Sequence, residues 1–349
     1  MEIVKAFLKG KIADAKADWA RKIAEKIHGM NTAPKKAWKA AYELMAGLLG
    51  HSKKHITMSL RMEDGRRATN GKENLSVAVP HFHKQFNMQR PRWATAASLI
   101  AKREQFNPLD NDLTFAEFEK ATMKLKSGKA PGITEVPPIA FKLLGHENLY
   151  TVYNYVVDFW EGKADYWEWH LGLGVMVPKS GDLSDPNKWR GINLMDVCSK
   201  IFSIILNDRL YTLLGEHGTK CQFGATPNKG CRDGSFTLKT LLTQRKEHGQ
   251  ESFVLFVDLV KAYDTVNHEL LIEILEQYGA PPKICSAIKR MYTDLTVRIT
   301  LDGVSAEIPQ TVGVRQGDNL SPVLFLFFMS AFAESLETEW EHQAGSRQS

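Results

Sequence analysis

A short apolar run that ends on a carboxylate constrains the fold of this chain more than any other feature. Residues 253–257 read Phe-Val-Leu-Phe-Val, and Asp258 follows directly. Such a run, without polar alternation, predicts a strand that is buried on both faces. A carboxylate at its end would lose hydration unless a cation bound it. A metal ion would satisfy Asp258, but for this segment alone an ion pair with Lys or Arg is the better explanation.

Charge is divided unevenly along the chain. Residues 1–105 contain 21 Lys and Arg against 9 Asp and Glu, whereas the remaining 244 residues contain 24 against 31. A basic segment of this kind favours contact with a polyanion, and a solvated helical surface is the alternative. Helical spacing of apolar residues predicts two amphipathic helices, within residues 11–28 and 37–49. The turn at 62–70 is expected to lead into a polar segment that ends near Arg103.

The four cysteines indicate a reducing compartment, because they are too few and too irregularly spaced for a disulfide framework or a zinc site. No signal peptide is predicted, since residues 1–30 alternate charged and apolar side chains. The apolar stretch from Pro322 to Phe332 has about half the length that a bilayer span needs. It therefore predicts a buried helix, and no membrane partner is expected.

Beyond residue 105, helices and short strands alternate without repeats, which predicts an α+β fold. Thr114 and Glu117 form a capping box that begins a helix. Asp302-Gly303 predicts the turn of a hairpin that begins at Val297. Helices are predicted at 149–160, 194–214 and 264–278, a strand at 175–177, and a last helix from Ser321.

The segment around Asp258 resembles a known polymerase motif. Phe256-Val-Asp258-Leu-Val-Lys-Ala-Tyr263-Asp264 is similar to motif A of reverse transcriptases. The resemblance implies that Asp258 and the backbone carbonyl of Leu259 bind Mg²⁺, for which Mn²⁺ could substitute. It also implies that Tyr263 is an aromatic gate that clashes with a ribose 2′-hydroxyl. Asp264 is expected to cap the following helix rather than to bind metal.

A second motif lies 58 residues further on, counted from Asp258 to Gln316. Gly313-Val-Arg-Gln316-Gly317-Asp-Asn-Leu-Ser321-Pro resembles motif B in its LINE form, with Arg before Gln-Gly. The resemblance implies that Gln316 and Gly317 contact the incoming nucleotide. Ser321 is expected to cap the palm helix.

A third motif precedes both. Val177-Pro-Lys179-Ser-Gly-Asp, followed by Trp-Arg190-Gly-Ile, resembles the fingers motif of the same family. Lys179 and Arg190 would then grip the triphosphate, and Arg adds a bidentate fork. Upstream, residues 126–132 also resemble a LINE segment, which relatives usually continue with Pro-Asp-Gly-Ile. This chain has Ile-Thr-Glu135 there instead.

Together these motifs identify the chain as resembling the reverse transcriptase of a LINE-type, non-LTR retrotransposon. The expected fold is an α+β right-hand polymerase with a basic helical N-terminal extension (1–105), fingers (106–250) and a partial palm (251–349). The reverse transcriptase domain would span about 160–349. The implied activity is RNA-directed DNA synthesis by two-metal nucleotidyl transfer, with an RNA template, a DNA primer and dNTPs. The family resemblance places it in the nucleus or in a cytoplasmic ribonucleoprotein.

One family motif is missing from the sequence. Motif C, an aromatic-x-Asp-Asp hairpin, is expected a few tens of residues after motif B, but no Asp-Asp pair occurs in the 349 residues. We therefore expect a chain that is truncated before motif C and inactive alone. A group II intron-type reverse transcriptase is one alternative, although those enzymes favour Pro rather than Arg315 before Gln-Gly. A non-catalytic nucleic-acid-binding remnant is another.

Overall fold

The computed structural model describes residues 58–88 and 100–346, together with residues 14, 18 and 21. The two amphipathic helices predicted within 11–28 and 37–49 fall almost entirely outside these described residues. The helices are α1 (Gly71–Phe86), α2 (Phe115–Lys124), α3 (Pro138–Lys142), α4 (His146–Trp160), α5 (Trp167–His170), α6 (Val197–His217), α7 (Cys231–Glu247), α8 (His268–Gln277), α9 (Pro282–Tyr292) and α10 (Leu320–Ser346). The strands are β1 (Leu171–Pro178), β2 (Trp189–Leu194), β3 (Thr296–Leu301) and β4 (Val304–Pro309). This mixture confirms the α+β prediction.

The four strands form one mixed sheet in the order β2-β1-β3-β4. β1 pairs with β2 antiparallel and with β3 parallel, and β3 pairs with β4 antiparallel. Asp302 and Gly303 connect β3 to β4 with positive φ angles of 48° and 80°. Two positive angles in a two-residue loop are typical of a type I′ hairpin turn. The predicted hairpin is therefore confirmed.

Helix α1 covers one face of this sheet, where the sequence pattern had led us to expect a polar connection. Asn70 begins the helix, because its side chain accepts a hydrogen bond from the backbone N–H of Glu73. Phe82 and Phe86 pack with Val297 and other residues of β2, β3 and β4 in a small core. The Asn-x-x-Glu pattern was the available signal for this helix. Its interior Pro80 argued against one.

The main core lies among the helices. A cluster of aromatic rings fills its centre, and the rings of Phe159 and Trp169 are 4.3 Å apart. Residues 320–340 of α10 are long and apolar enough to cross a membrane by length and composition. Val323 and Phe327, however, are fully buried against this core. The prediction of a buried helix after residue 321 is thus confirmed.

The predicted strand at 253–257 is wrong. No strand forms between residues 251 and 259, and Phe253, Leu255 and Phe256 are 94%, 86% and 83% exposed. A strand that is apolar on both faces needs a neighbour at each edge and a layer on each side. The four described strands pair only with one another. The segment that carries Asp258 pairs with none of them, so it lacks the neighbours that an interior strand requires.

Arg209 of α6 joins that helix to the start of α2. Its guanidinium donates to the backbone carbonyls of Leu109, Asn111 and Asp112 and to the carboxylate of Glu117. Burial raises the pKa of Glu117, but hydrogen bonds from Arg209 and from Thr114 in the capping box outweigh it and lower that pKa. One side chain thus satisfies several otherwise unpaired acceptors.

Arg209→Met should lower the free energy of unfolding by about 1–3 kcal/mol, because the apolar stem remains while partly exposed acceptors lose their donor. Urea unfolding would measure the loss. Lys239→Met on the exposed helix α7 is the matched control, with an expected change within about 0.5 kcal/mol. Equal stability of the two variants would show that the guanidinium contributes nothing.

The segment 130–136 packs against the beginning of α6. A Cβ added at Gly132 would lie 2.4 Å from the carbonyl oxygen of Met195, so only glycine fits there. Thr134 Oγ1 donates to Asp196 Oδ2 at 2.7 Å, and Asp196 caps α6. Glu135 has a φ of 57°, a left-handed conformation that favours glycine. By the LINE resemblance of residues 126–132, Glu135 would stand where Pro-Asp-Gly-Ile has its glycine.

Glu135→Gly should therefore stabilise the chain by about 0.5–1 kcal/mol. A residue with a Cβ loses about 1–2 kcal/mol in this conformation, and the larger entropy loss of glycine on folding cancels only part of that gain. Thermal or urea unfolding would detect the difference. Glu135→Ala keeps the Cβ and should give no gain, so a similar gain in both variants would rule out backbone strain as the cause.

Candidate active site

Two loops, one in the motif A region and one in the motif B region, are joined by backbone hydrogen bonds. They are loop A (261–267) and loop B (310–319). The N–H of Gly313 donates to the carbonyl of Val266 at 2.7 Å, and the N–H of Val314 donates to the carbonyl of Tyr263 at 2.8 Å. Gly313 has a φ of 87°, and a Cβ there would lie 2.8 Å from Asp264 Cα. Glycine at 313 is thus a condition for this contact.

Gln316 is held by groups on both sides of loop B. Its Nε2 donates to Asp264 Oδ1 at 2.9 Å. Its backbone carbonyl accepts from the N–H of Asn193 on β2 at 2.8 Å. The sequence did not indicate a role for Asn193, because this hydrogen bond depends on how β2 packs against loop B. Gln316 is therefore bonded to Asp264 of the motif A region, and it has no hydrogen bond to Asp258.

Asp264 does not cap α8, so that expectation was wrong. Asn267 is the cap, since its side chain accepts from the N–H of Leu270. Asp264 lies in a 3₁₀ turn three residues earlier and is 6% exposed. Burial raises the pKa of its carboxyl, while the bond from Gln316 and the charge of Lys261 act in the opposite direction. Asp264 is thus a buried carboxylate of the candidate site.

Gly317 brings loop B against β2. Its φ is 110°, and a Cβ there would lie 2.9 Å from the carbonyl oxygen of Asn193. The resemblance assigned Gly317 to nucleotide contact, and that role stays a prediction. What the structure shows is a close backbone approach that permits no side chain.

Arg315 anchors loop B to the helical core. It is 3% exposed, and its guanidinium donates to the backbone carbonyls of Trp169 and Met291. Burial lowers its pKa, and the nearby carboxylate of Asp318 opposes that effect. Arg315 thus fixes loop B to α5 and α9.

Ser321 does not cap α10, which corrects the second capping expectation. The helix begins at Leu320, whose N–H donates to Asp318 Oδ1 at 3.2 Å. Ser321 Oγ instead donates to the carbonyl of Arg315 at 2.7 Å. Pro322 lies in the first turn, where the N–H that it lacks would have no helical partner.

Lys179 and Arg190 lie on the β1–β2 hairpin. Lys179 follows β1 and its Nζ donates to the carbonyl of Asn187 at 3.3 Å, while Arg190 is exposed on β2 opposite Val177. The guanidinium of Arg190 has no hydrogen bond to any residue in the described ranges, whereas its backbone belongs to the β1–β2 ladder. The charge of Lys179 is close enough to lower the pKa of Asp264. The hairpin therefore presents positive charge toward the two loops.

Tyr263 and Asp258 have fewer contacts with the candidate site than the residues above. The Tyr263 ring is half-buried and stacks on Phe325 of α10, with centroids 4.9 Å apart. Asp258 and Leu259 are exposed, and Asp258 has no hydrogen bond or ion pair within the described part of the chain. The described part of the chain contains no group of three or more His, Cys, Asp or Glu that could hold a metal ion. The metal-ligand role of Asp258 and Leu259 stays a prediction.

Comparison with known proteins agrees with these motifs. Residues 177–346 match the family described as reverse transcriptase (RNA-dependent DNA polymerase). This interval contains both loops and the β1–β2 hairpin from Val177 onward. The chain therefore contains a reverse transcriptase domain.

The relatives narrow the class. The chain is 23% identical over 272 residues to the Pol polyprotein of the type-2 retrotransposable element R2DM of Drosophila melanogaster, covering 77% of the chain and 25% of that protein. It is 29% identical over 172 residues to the Pol polyprotein of a type-1 element R2 of Popillia japonica, covering 49% and 24%. A transposon TX1 protein of Xenopus laevis is 29% identical over 227 residues, covering 64% and 17%.

Residues 177–346 are thus similar to the reverse transcriptase region of non-LTR, LINE-type retrotransposon proteins. The chain spans about a quarter of the length of the first two relatives. These relatives do not favour the group II intron alternative.

Gly317→Ala tests the close approach of loop B to β2. The substitution should lower the free energy of unfolding by about 2–3 kcal/mol, because an unfavourable φ adds to a clash with backbone. Gly303→Ala in the β3–β4 turn is the control, since its φ is also positive but a Cβ there meets nothing within 4 Å. It should lose only about 1 kcal/mol. Equal losses in urea unfolding would mean that the contact with Asn193 has no energetic weight.

Proposed function

We propose that this chain is the fingers and front palm of an RNA-directed DNA polymerase that copies a primed RNA template by two-metal nucleotidyl transfer. The observation that supports this best is the bonding of loop A to loop B beside the β1–β2 hairpin. That arrangement bonds Gln316 to Asp264 and puts the charge of Lys179 close enough to lower the pKa of that carboxyl. By family resemblance, the protein would act in the nucleus or in a cytoplasmic ribonucleoprotein.

The hairpin cations would bind the triphosphate of the incoming dNTP. A tetra-anion needs several positive groups, and Lys179 and Arg190 lie on adjacent strand ends of one hairpin. The guanidinium of Arg190 has no described hydrogen-bond partner, so it is available for bidentate contact with phosphate. Tyr263 beside loop B would exclude a ribose 2′-hydroxyl by contact.

The divalent metal, Mg²⁺ or Mn²⁺, would bind Asp258 and the carbonyl of Leu259. In the described residues that segment is exposed and carries a single carboxylate. Two ions about 3.5–4 Å apart need more negative charge than Asp258 supplies. We therefore expect the 349-residue chain to bind primer, template and nucleotide without extending the primer.

Nucleotide-dependent binding of a primed RNA tests the proposal. The dissociation constant for a fluorescent RNA–DNA primer-template would be measured with and without the next complementary dNTP in Mg²⁺. The dNTP should tighten binding, and Lys179→Gln with Arg190→Gln should reduce that effect at least tenfold, since each charged hydrogen bond contributes about 1.5–3 kcal/mol. Lys163→Gln, in the exposed turn after α4, is the control of equal charge type.

Two outcomes would contradict the proposal. Salt-dependent RNA binding that ignores both dNTP and metal would instead favour a non-catalytic nucleic-acid-binding protein. Robust primer extension by the 349 residues would show that the expectation of too few metal-binding carboxylates is wrong. Asp258→Asn would then establish whether that carboxylate is needed.

A further inference from the structure

The end of helix α1, in the N-terminal extension, reaches the candidate site. Gln85 lies in the last turn of α1, and the nitrogen and the oxygen of its side-chain amide each form a hydrogen bond to loop A. Its Nε2 donates to Asp264 Oδ2 at 2.8 Å, and its Oε1 accepts from Lys261 Nζ at 2.7 Å. Gln85 lies outside the interval that matches the reverse transcriptase family. One side chain of the extension thus holds two groups of loop A.

The position of Gln85 is fixed by the backbone next to it. The carbonyl of Phe86 accepts hydrogen bonds from the N–H groups of Thr311 and Val312 at 3.0 and 3.1 Å. Asn87 Nδ2 donates to the carbonyl of Pro309 at 2.7 Å. The end of α1 is therefore bonded to the start of loop B. Gln85 is held on loop A and its helix end on loop B.

The carboxylate of Asp264 connects Gln85 to Gln316. Oδ2 accepts from Gln85 and Oδ1 accepts from Gln316, so each oxygen is matched to one glutamine amide. A carboxylate is planar, and a bond to one oxygen restrains the direction in which the other can accept. The cavity between Phe86, Asp264 and Gln316 has a volume of about 10 Å³. That is room for about one water.

Lys261 adds a second constraint. Its φ is 53°, an unfavourable conformation for a residue with a Cβ. Its ammonium bonds to Gln85, and its charge lowers the pKa of Asp264 against the effect of burial. Gln85 thus stabilises both the strained residue that begins loop A and the carboxylate that orients Gln316.

We propose that Gln85 is a positioning residue for the nucleotide site, which acts on Gln316 through Asp264. The N-terminal extension is then a working part of the polymerase site and not only an arm for nucleic acid. This inference rests on the proposed function for its role in nucleotide binding. The coupling of Gln85 to loop B is separate, and it can be measured without any ligand.

Hydrogen exchange of the 349-residue chain tests the coupling directly. Gln85→Met keeps the length of the side chain and removes both bonds. The amides of Gly313 and Val314 should exchange at least tenfold faster in this variant, while those of α9 keep their rates. Lys72→Met, on the exposed first turn of the same helix, is the matched control and should change neither. Unchanged loop B exchange, or uniform acceleration everywhere, would overturn the proposal.

A double-mutant cycle tests the role in binding. The tightening of primed-RNA binding by the complementary dNTP would be measured for Gln85→Met, for Gln316→Met and for both together. Each should weaken the effect about tenfold, and the double variant should be no worse than either, because both act through one carboxylate. A hundredfold, additive loss would overturn the proposal. If the unsubstituted chain shows no dNTP effect, the proposed function fails, and hydrogen exchange alone still decides the coupling.

Discussion

The backbone bonding between loop A and loop B is the interaction on which the rest of the site depends. Two glycines permit it. Gly313 lets loop B approach Asp264, and Gly317 lets the same loop approach Asn193 of β2. With both contacts made, Gln316 is held between the sheet and the loop that follows Asp258. Segments far apart in sequence thereby form one hydrogen-bonded surface.

Burial gives that surface its electrostatic character. Asp264 and Asp318 are buried carboxylates whose pKa values rise through loss of hydration. Each is matched by a specific partner, with the amide of Gln316 at Asp264 and the charge of Arg315 near Asp318. A buried charge without such partners would cost several kcal/mol. Arg315 and Asp318 of motif B thus stabilise the site from within the core.

The sequence predicted those elements whose stabilising hydrogen bonds or backbone angles involve only residues a few positions apart. The capping box at Thr114 and Glu117 and the Asp302-Gly303 turn were found because each contains its own hydrogen bonds or backbone angles. Prediction failed where the partner was distant. The apolar run at 253–257 has the composition of an interior strand, but composition cannot supply a neighbouring strand. Asp264 resembled a cap in sequence, and Gln316 became its partner only in the fold.

The sequence by itself determined the resemblance to the reverse transcriptase family, the α+β class and the chemistry available at each motif. The order and spacing of Asp258, Gln316, Lys179 and Arg190 are properties of the chain. Tertiary structure decided which of these groups meet. It paired Gln316 with Asp264, placed Arg315 in the core and brought Gln85 from the N-terminal extension onto loop A. The physical reason is that hydrogen bonds between residues more than fifty positions apart depend on how helices and sheet pack, and packing is a property of the whole fold.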